Sequence, residues 1–250
     1  GDQVSNSETW QSCLNNKESQ HFYINSGVGG YGILQPIMRA KSLLNTYKED
    51  SDTYGIILSV VVGHTARRDM LDFRSGFPKP SLLKTETGEI IIKSIPVDSK
   101  SAIGGKYTKE QANPFLSLIS NITLLGKIPL TRNAYYKFHS LYVNRLTRKN
   151  ESPPSINEIY KWSVENSKKI HPNVIWLLQY DSEISENDLM ERKYIRDLLT
   201  MQNIKFIDTY EQLHGKKVKY SSSKLWNGHY TPLGNRVVCE TIFKNINSSN

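Results

Sequence analysis

The chain lacks most of the patterns that announce a chemistry. It has only two cysteines, Cys13 and Cys239, in 250 residues. They form no CxxC or zinc spacing, so a thiol-based metal or redox motif is excluded and two packed thiols are expected. The six histidines, His21, His64, His139, His171, His214 and His229, are scattered without metal-ligand spacing, so neither a metal nor a cofactor is expected. The longest apolar stretch, GIILSVVVG from Gly55 to Gly63, falls far short of the roughly 20 residues of a membrane-spanning helix. A soluble chain without a membrane span is expected. The opening residues GDQVSNSETW carry no basic n-region and no apolar h-region, so no targeting signal is visible, and the compartment is left open. No Gly-x-Ser-x-Gly elbow occurs, which excludes an α/β-hydrolase nucleophile. A basic stripe with interleaved aromatics is also missing. The net charge of +8 is spread along the chain, with one local cluster at Lys216, Lys217, Lys219 and Lys224, and reads as a solvated face, so no nucleic-acid partner is expected.

What the sequence does have is alternation of β-rich runs with helical patterns, the mark of a parallel sheet covered by helices. HFYIN (21–25) reads as a strand, and YGILQPIMRAKSLLNTY (31–47) as a helix with a kink at Pro36. YGIILSVVVG (54–63) is continuously apolar and β-branched, as a fully buried strand should be. An excursion over 67–152 follows, with a hairpin turn at Thr87 and Gly88 and helices over 113–128 and 132–146; it reads as an insertion that could serve as a lid or substrate wall. The main pattern resumes with the capping box Ser155–Glu158, the strand NVIWLLQY (173–180), a capped helix over 185–202 and a strand opening IKFIDTYEQL (204–213). Thr231 caps the last helix, with Pro232 at its first position. The expectation is one domain over 1–250, a three-layer α/β/α sandwich with a mostly parallel, flavodoxin-like sheet. The helix over 7–16 has no strand before it to feed it, so a strand upstream of residue 1 is expected.

The stretch NSGVGGYGILQ, Asn25 to Gln35, has Gly27, Gly29 and Gly32 at the spacing of a dinucleotide fingerprint. That site also needs an acid at the end of the next strand. Here the strand ends GHTARR, so the fingerprint is incomplete, and a simple glycine-permitted turn is the competing reading.

Together with its neighbours, NSGVGGYGILQ resembles the second block of the SGNH, or GDSL, hydrolases, close to Asn-x-Gly-x-x-Gly-Tyr-Gly and then Gln. The resemblance covers Trp10 to Phe243 and implies that the backbone N–H of Gly30 serves an oxyanion hole. GHTA, Gly63 to Ala66, corresponds to the third block, with Thr65 where the oxyanion asparagine should be. RRDMLDFRSGFPKP (67–80), with IPV (95–97), resembles an insertion of some members. NGHYTPLGN corresponds to the fifth block, which implies that His229 is the base and that Asn227 takes the place of the acid. The first block, Gly-Asp-Ser, fits less directly. Glu8-Thr9-Trp10 matches its downstream marker, and that register puts the serine ahead of Gly1. The competing register reads Gly1-Asp2-Gln3 as the block, with Gln3 for serine, and leaves the spacing to Trp10 too short. Ser5, Ser7 and Ser26 read as caps or turn residues, not nucleophiles.

The implied activity is attack of a serine hydroxyl on an ester carbonyl with histidine as base, on small esters or O-acylated saccharides and without a cofactor. The departures have a cost. An amide at Asn227 cannot stabilise an imidazolium, an exchange that lowers turnover about 10⁴-fold in the serine-protease example. Asp208 and Asp181, near strand ends, are candidate replacement carboxylates, and a Ser–His dyad is a further alternative. Thr65 has a shorter reach than asparagine, and His64 beside it is a second candidate donor or a structural residue. A non-catalytic homologue that binds a saccharide is the rival expectation.

Overall fold

The computed structural model of the protein describes residues 4–17, 21–27, 31–46, 55–70, 73–74, 77–93, 152–216 and 218–247. In chain order the strands are β1 (Ile56–Val61), β2 (Phe73–Arg74), β3 (Phe77–Pro78), β4 (Ser81–Lys84), β5 (Ile90–Lys93), β6 (Val174–Gln179), β7 (Lys205–Asp208), β8 (Trp226–Asn227) and β9 (His229–Tyr230). The helices are α1 (Trp10–Lys17), α2 (Leu34–Thr46), α3 (Thr65–Asp69), α4 (Ile156–Ser167), α5 (Glu186–Met201), α6 (Tyr210–Leu213), α7 (Ser222–Leu225) and α8 (Pro232–Asn247). No described helix is long and apolar enough to cross a membrane. The chain divides into two compact units, Gly1–Leu71 with Pro154–Asn250, and Asp72–Pro153.

The larger unit is built on a parallel sheet of order β1-β6-β7. Its central strand β6, VIWLLQ, is apolar at both parities, as burial on two faces requires. The Trp176 indole donates a hydrogen bond to Ser167 Oγ at the end of α4 (3.0 Å), whereas Leu177 joins the cluster of Leu14, Ile207, Leu213, Leu225, Val238 and Ile242, which draws on α1 and α8. Successive strand residues point to opposite faces, so these two neighbours mark two separate apolar layers. The fold is mixed α/β with three parallel strands.

Helix starts follow their local chemistry. Ser155 and Glu158 form the expected capping box at α4, and Ser185 with Asp188 forms a second at α5. Thr231 accepts the Gly234 N–H at 3.1 Å and Pro232 opens α8. The helix expected from residue 31 begins instead at Leu34. Pro36 therefore sits in its first turn, where no intrahelical bond needs its N–H, and the expected kink has no cause.

Two expectations are corrected. HFYIN belongs to no strand, because its backbone is tied to a side chain: Asn15 accepts the Tyr23 N–H (2.6 Å) and donates to the Tyr23 carbonyl (3.0 Å). The cysteines are not packed thiols. Cys13 on α1 and Cys239 on α8 form a disulfide across 226 residues of sequence, because α1 and α8 pack together and bring their Cα atoms to 6.1 Å.

In the smaller unit β4 and β5 pair antiparallel, with Leu82 opposite Ile92. The turn lies at the expected place, with Gly88 at φ +84°. β2 pairs with β3, and Lys84 exchanges backbone hydrogen bonds with Ser152. The helices expected over 113–128 and 132–146 lie outside the described residues.

Candidate functional site

Parallel strands end on one side of their sheet, and the segments that follow β1, β6 and β7 therefore share one edge. Three of the titratable residues considered from sequence, His64, Asp181 and Asp208, sit there, together with His214. After β1 the chain turns sharply at Gly63, whose φ of +83° suits glycine. A Cβ there would also overlap the Asp188 carboxylate. The turn presents His64 at the edge, where Nε2 lies 3.5 Å from Asp181 Oδ2. Asp181 is in turn fixed by the Ser182 N–H, which donates to Oδ1 at 2.7 Å.

Thr65 is buried, and its hydroxyl is fully used. It accepts the Val61 N–H (2.8 Å) and donates to the Val61 carbonyl (2.9 Å). The hydrogen that an oxyanion would need closes the end of β1 instead. Asp208 is equally committed. It accepts from the Tyr180 hydroxyl (2.8 Å), from Arg192 Nε (2.9 Å) and from the Tyr210 N–H (3.0 Å), and pairs with Arg196. Burial and the Asp208 carboxylate together raise the Tyr180 phenol well above its ordinary range. This knot holds α5 to the end of β7, and leaves Asp181 as the carboxylate with an open side.

His229 and Asn227 lie opposite each other across Gly228 in the β8–β9 pair. Both are exposed, on the outer face that alternation assigns them. Trp226 and Tyr230 take the inner face. The Tyr230 hydroxyl donates to the Tyr180 carbonyl (2.7 Å) and accepts the Tyr180 N–H (3.1 Å), which ties the hairpin to the end of β6. Burial raises the Tyr230 phenol. Beneath the hairpin Trp226 packs on His214 (4.8 Å between centroids), and His214 stacks on Tyr210 (5.8 Å). Burial lowers the His214 imidazole, against the backbone and charge of Asp181. Among the described residues His229 and Asn227 make no side-chain hydrogen bond.

The glycine-rich turn has a different partner from the one a dinucleotide needs. Asp69, fully buried, accepts the Ile33 N–H (2.6 Å) and the Leu34 N–H (3.1 Å) and so occupies the start of α2 with a carboxylate. A phosphate would meet that charge where it needs free N–H groups. Gly32 is glycine for the same reason, since a Cβ there would land on the Asp69 carboxylate. Gly30 lies outside the described residues.

Sequence reasoning missed the role of Asp69, because its partner is 36 positions away. The sequence offers His64 and Asp181 as separate candidates, and their pairing depends on which strands are neighbours. No described group of three or more His, Cys, Asp or Glu could hold a metal ion. No family model, curated protein or solved structure matches the chain.

Proposed function

We propose that the chain is an SGNH-type ester hydrolase or acyl-transfer domain for small esters or O-acylated glycans, working at the carboxyl edge of β1, β6 and β7 on a three-layer, flavodoxin-like scaffold. The observation that carries this reading is the position of His229. Its hairpin is tied to the end of β6 through Tyr230 and runs directly into α8, which leaves the imidazole exposed at the edge where open α/β sheets take their ligands. In this reading the attacking hydroxyl is the serine of a Gly-Asp-Ser block encoded ahead of Gly1. His229 accepts its proton as the serine oxygen bonds to the carbonyl carbon. The resemblance assigns the oxyanion to the Gly30 N–H, and Thr65 adds no donor there because its hydrogen is spent on Val61. Collapse breaks the bond to the alcohol, and water or an acceptor hydroxyl then releases the acyl group.

The test is hydrolysis of p-nitrophenyl acetate by the protein extended with the residues its gene encodes ahead of Gly1. Release of p-nitrophenolate above the buffer rate is expected, with a loss of about 10²–10⁴-fold in His229→Ala. A parent protein no faster than buffer overturns the reading. The amide at Asn227 and the committed hydroxyl of Thr65 favour one rival, a non-catalytic saccharide binder. It would show itself as glycan binding by calorimetry without turnover.

A further inference from the structure

Of the imidazoles at the edge, His214 is taken up in the ring stack with Tyr210 and Trp226; His64 and His229 are exposed, and the open carboxylate stands beside the one that block order does not select. His229 faces the amide of Asn227. His64 faces Asp181, with Nε2 3.5 Å from Oδ2. The pair is made by strand register: Val61 aligns with Gln179, so the residues three past β1 and two past β6 come side by side. Both side chains are open to a ligand, at 51% and 43% exposure. An exposed pair of this kind contributes little to stability, so the fold gives no reason for it. The other carboxylate that senses His64, Asp188, is engaged by Ser185 and Arg67.

We propose that His64, oriented by Asp181, is the general acid that protonates the departing alcohol, while His229 takes the proton of the attacking serine. The inference rests on reading the edge as an acyl-transfer site and adds a second proton-transfer group to it. Asp181 receives Nε2–H, which fixes the ring and turns Nδ1 outward. As the bond between the carbonyl carbon and the alcohol oxygen breaks, its electron pair stays on oxygen and Nδ1–H of the His64 imidazolium supplies the proton, which leaves the ring neutral. In the second half Nδ1 takes a proton from the attacking water, and His229 returns its proton to the serine oxygen, so both rings end as they began. Asp181 is a positioning residue in this scheme.

The experiment uses leaving-group dependence. p-Nitrophenolate departs without a proton, whereas the alkoxide of an O-acetyl monosaccharide requires one. In the upstream-extended protein, His64→Gln is expected to lower the ratio of kcat for the O-acetyl sugar to kcat for p-nitrophenyl acetate by about 10²–10⁴-fold. Asp181→Asn should lower the same ratio with KM unchanged, and Asp181→Glu should restore part of it. A residue needed only for folding would move both substrates together. An unchanged ratio in His64→Gln overturns this inference while p-nitrophenyl acetate turnover keeps the hydrolase reading. A parent inactive on both esters overturns that reading instead, and the pair is then decided by imidazole ¹⁵N shifts. A His64 ring with both nitrogens protonated, whose shifts change in Asp181→Asn, supports the pairing; ring nitrogens indifferent to that substitution overturn it.

Discussion

Asp208 and Asp181 are both aspartates at strand ends, and only their surroundings separate them. Asp208 accepts from two guanidinium nitrogens of Arg192, a phenol and a backbone N–H, and its side chain is 11% exposed. Removing its charge leaves Arg192, itself 17% exposed and stacked 4.1 Å over Tyr210, with only the more distant, exposed Glu211 carboxylate at 3.9 Å. Breaking such a pair costs about 3 kcal/mol, so Asp208→Asn should lower the urea midpoint strongly. If denaturation curves of that variant overlay the parent's, the knot is not structural. Asp181, with its open side, should be far more tolerant. The sequence could name both aspartates as candidates and could not rank them, because rank depends on Arg192 and Tyr180 arriving from other elements.

At the scale of elements, the short α6 and the β8–β9 hairpin meet through rings, and His214 is the one that titrates. Burial holds its imidazole below the ordinary 6.5. As pH falls, the unfolded chain takes up that proton before the folded one, so the contribution is complete above about 6.5 and declines as pH drops towards the lower folded value. Asp188, held below 3.8 because Ser185 and Arg67 outweigh its burial, acts in the same sense only at more acid pH. The urea midpoint should therefore fall between about pH 7.5 and about pH 5.5, and His214→Phe should flatten the slope. An equal slope in both proteins would assign it elsewhere. Element boundaries were legible where local chemistry sets them, as with the Ser155, Ser185 and Thr231 caps. They were illegible at HFYIN, whose β-rich composition is satisfied by the Asn15 side chain instead of a neighbouring strand.

For the whole molecule, the Cys13–Cys239 bridge joins α1 near the start to α8 near the end. Closing so long a loop restricts the unfolded chain, and the chain-entropy model assigns about 5 kcal/mol to it. Reduction should lower the thermal midpoint by about 10–20 °C, and Cys13→Ser should match the reduced parent. A midpoint indifferent to reductant removes the bridge from the stability of the fold. Two distant cysteines in a sequence do not disclose this, since pairing requires α1 and α8 to lie against each other. The same distinction runs through the protein. The sequence by itself determined the buried strands, the helix caps and the turns, because these depend on residues within a few positions of one another. Only the tertiary structure decided that Asp69 fills the start of α2 and that Asp181 stands by His64. Each of those is a contact between distant segments, fixed by strand order and helix packing rather than by neighbouring residue types.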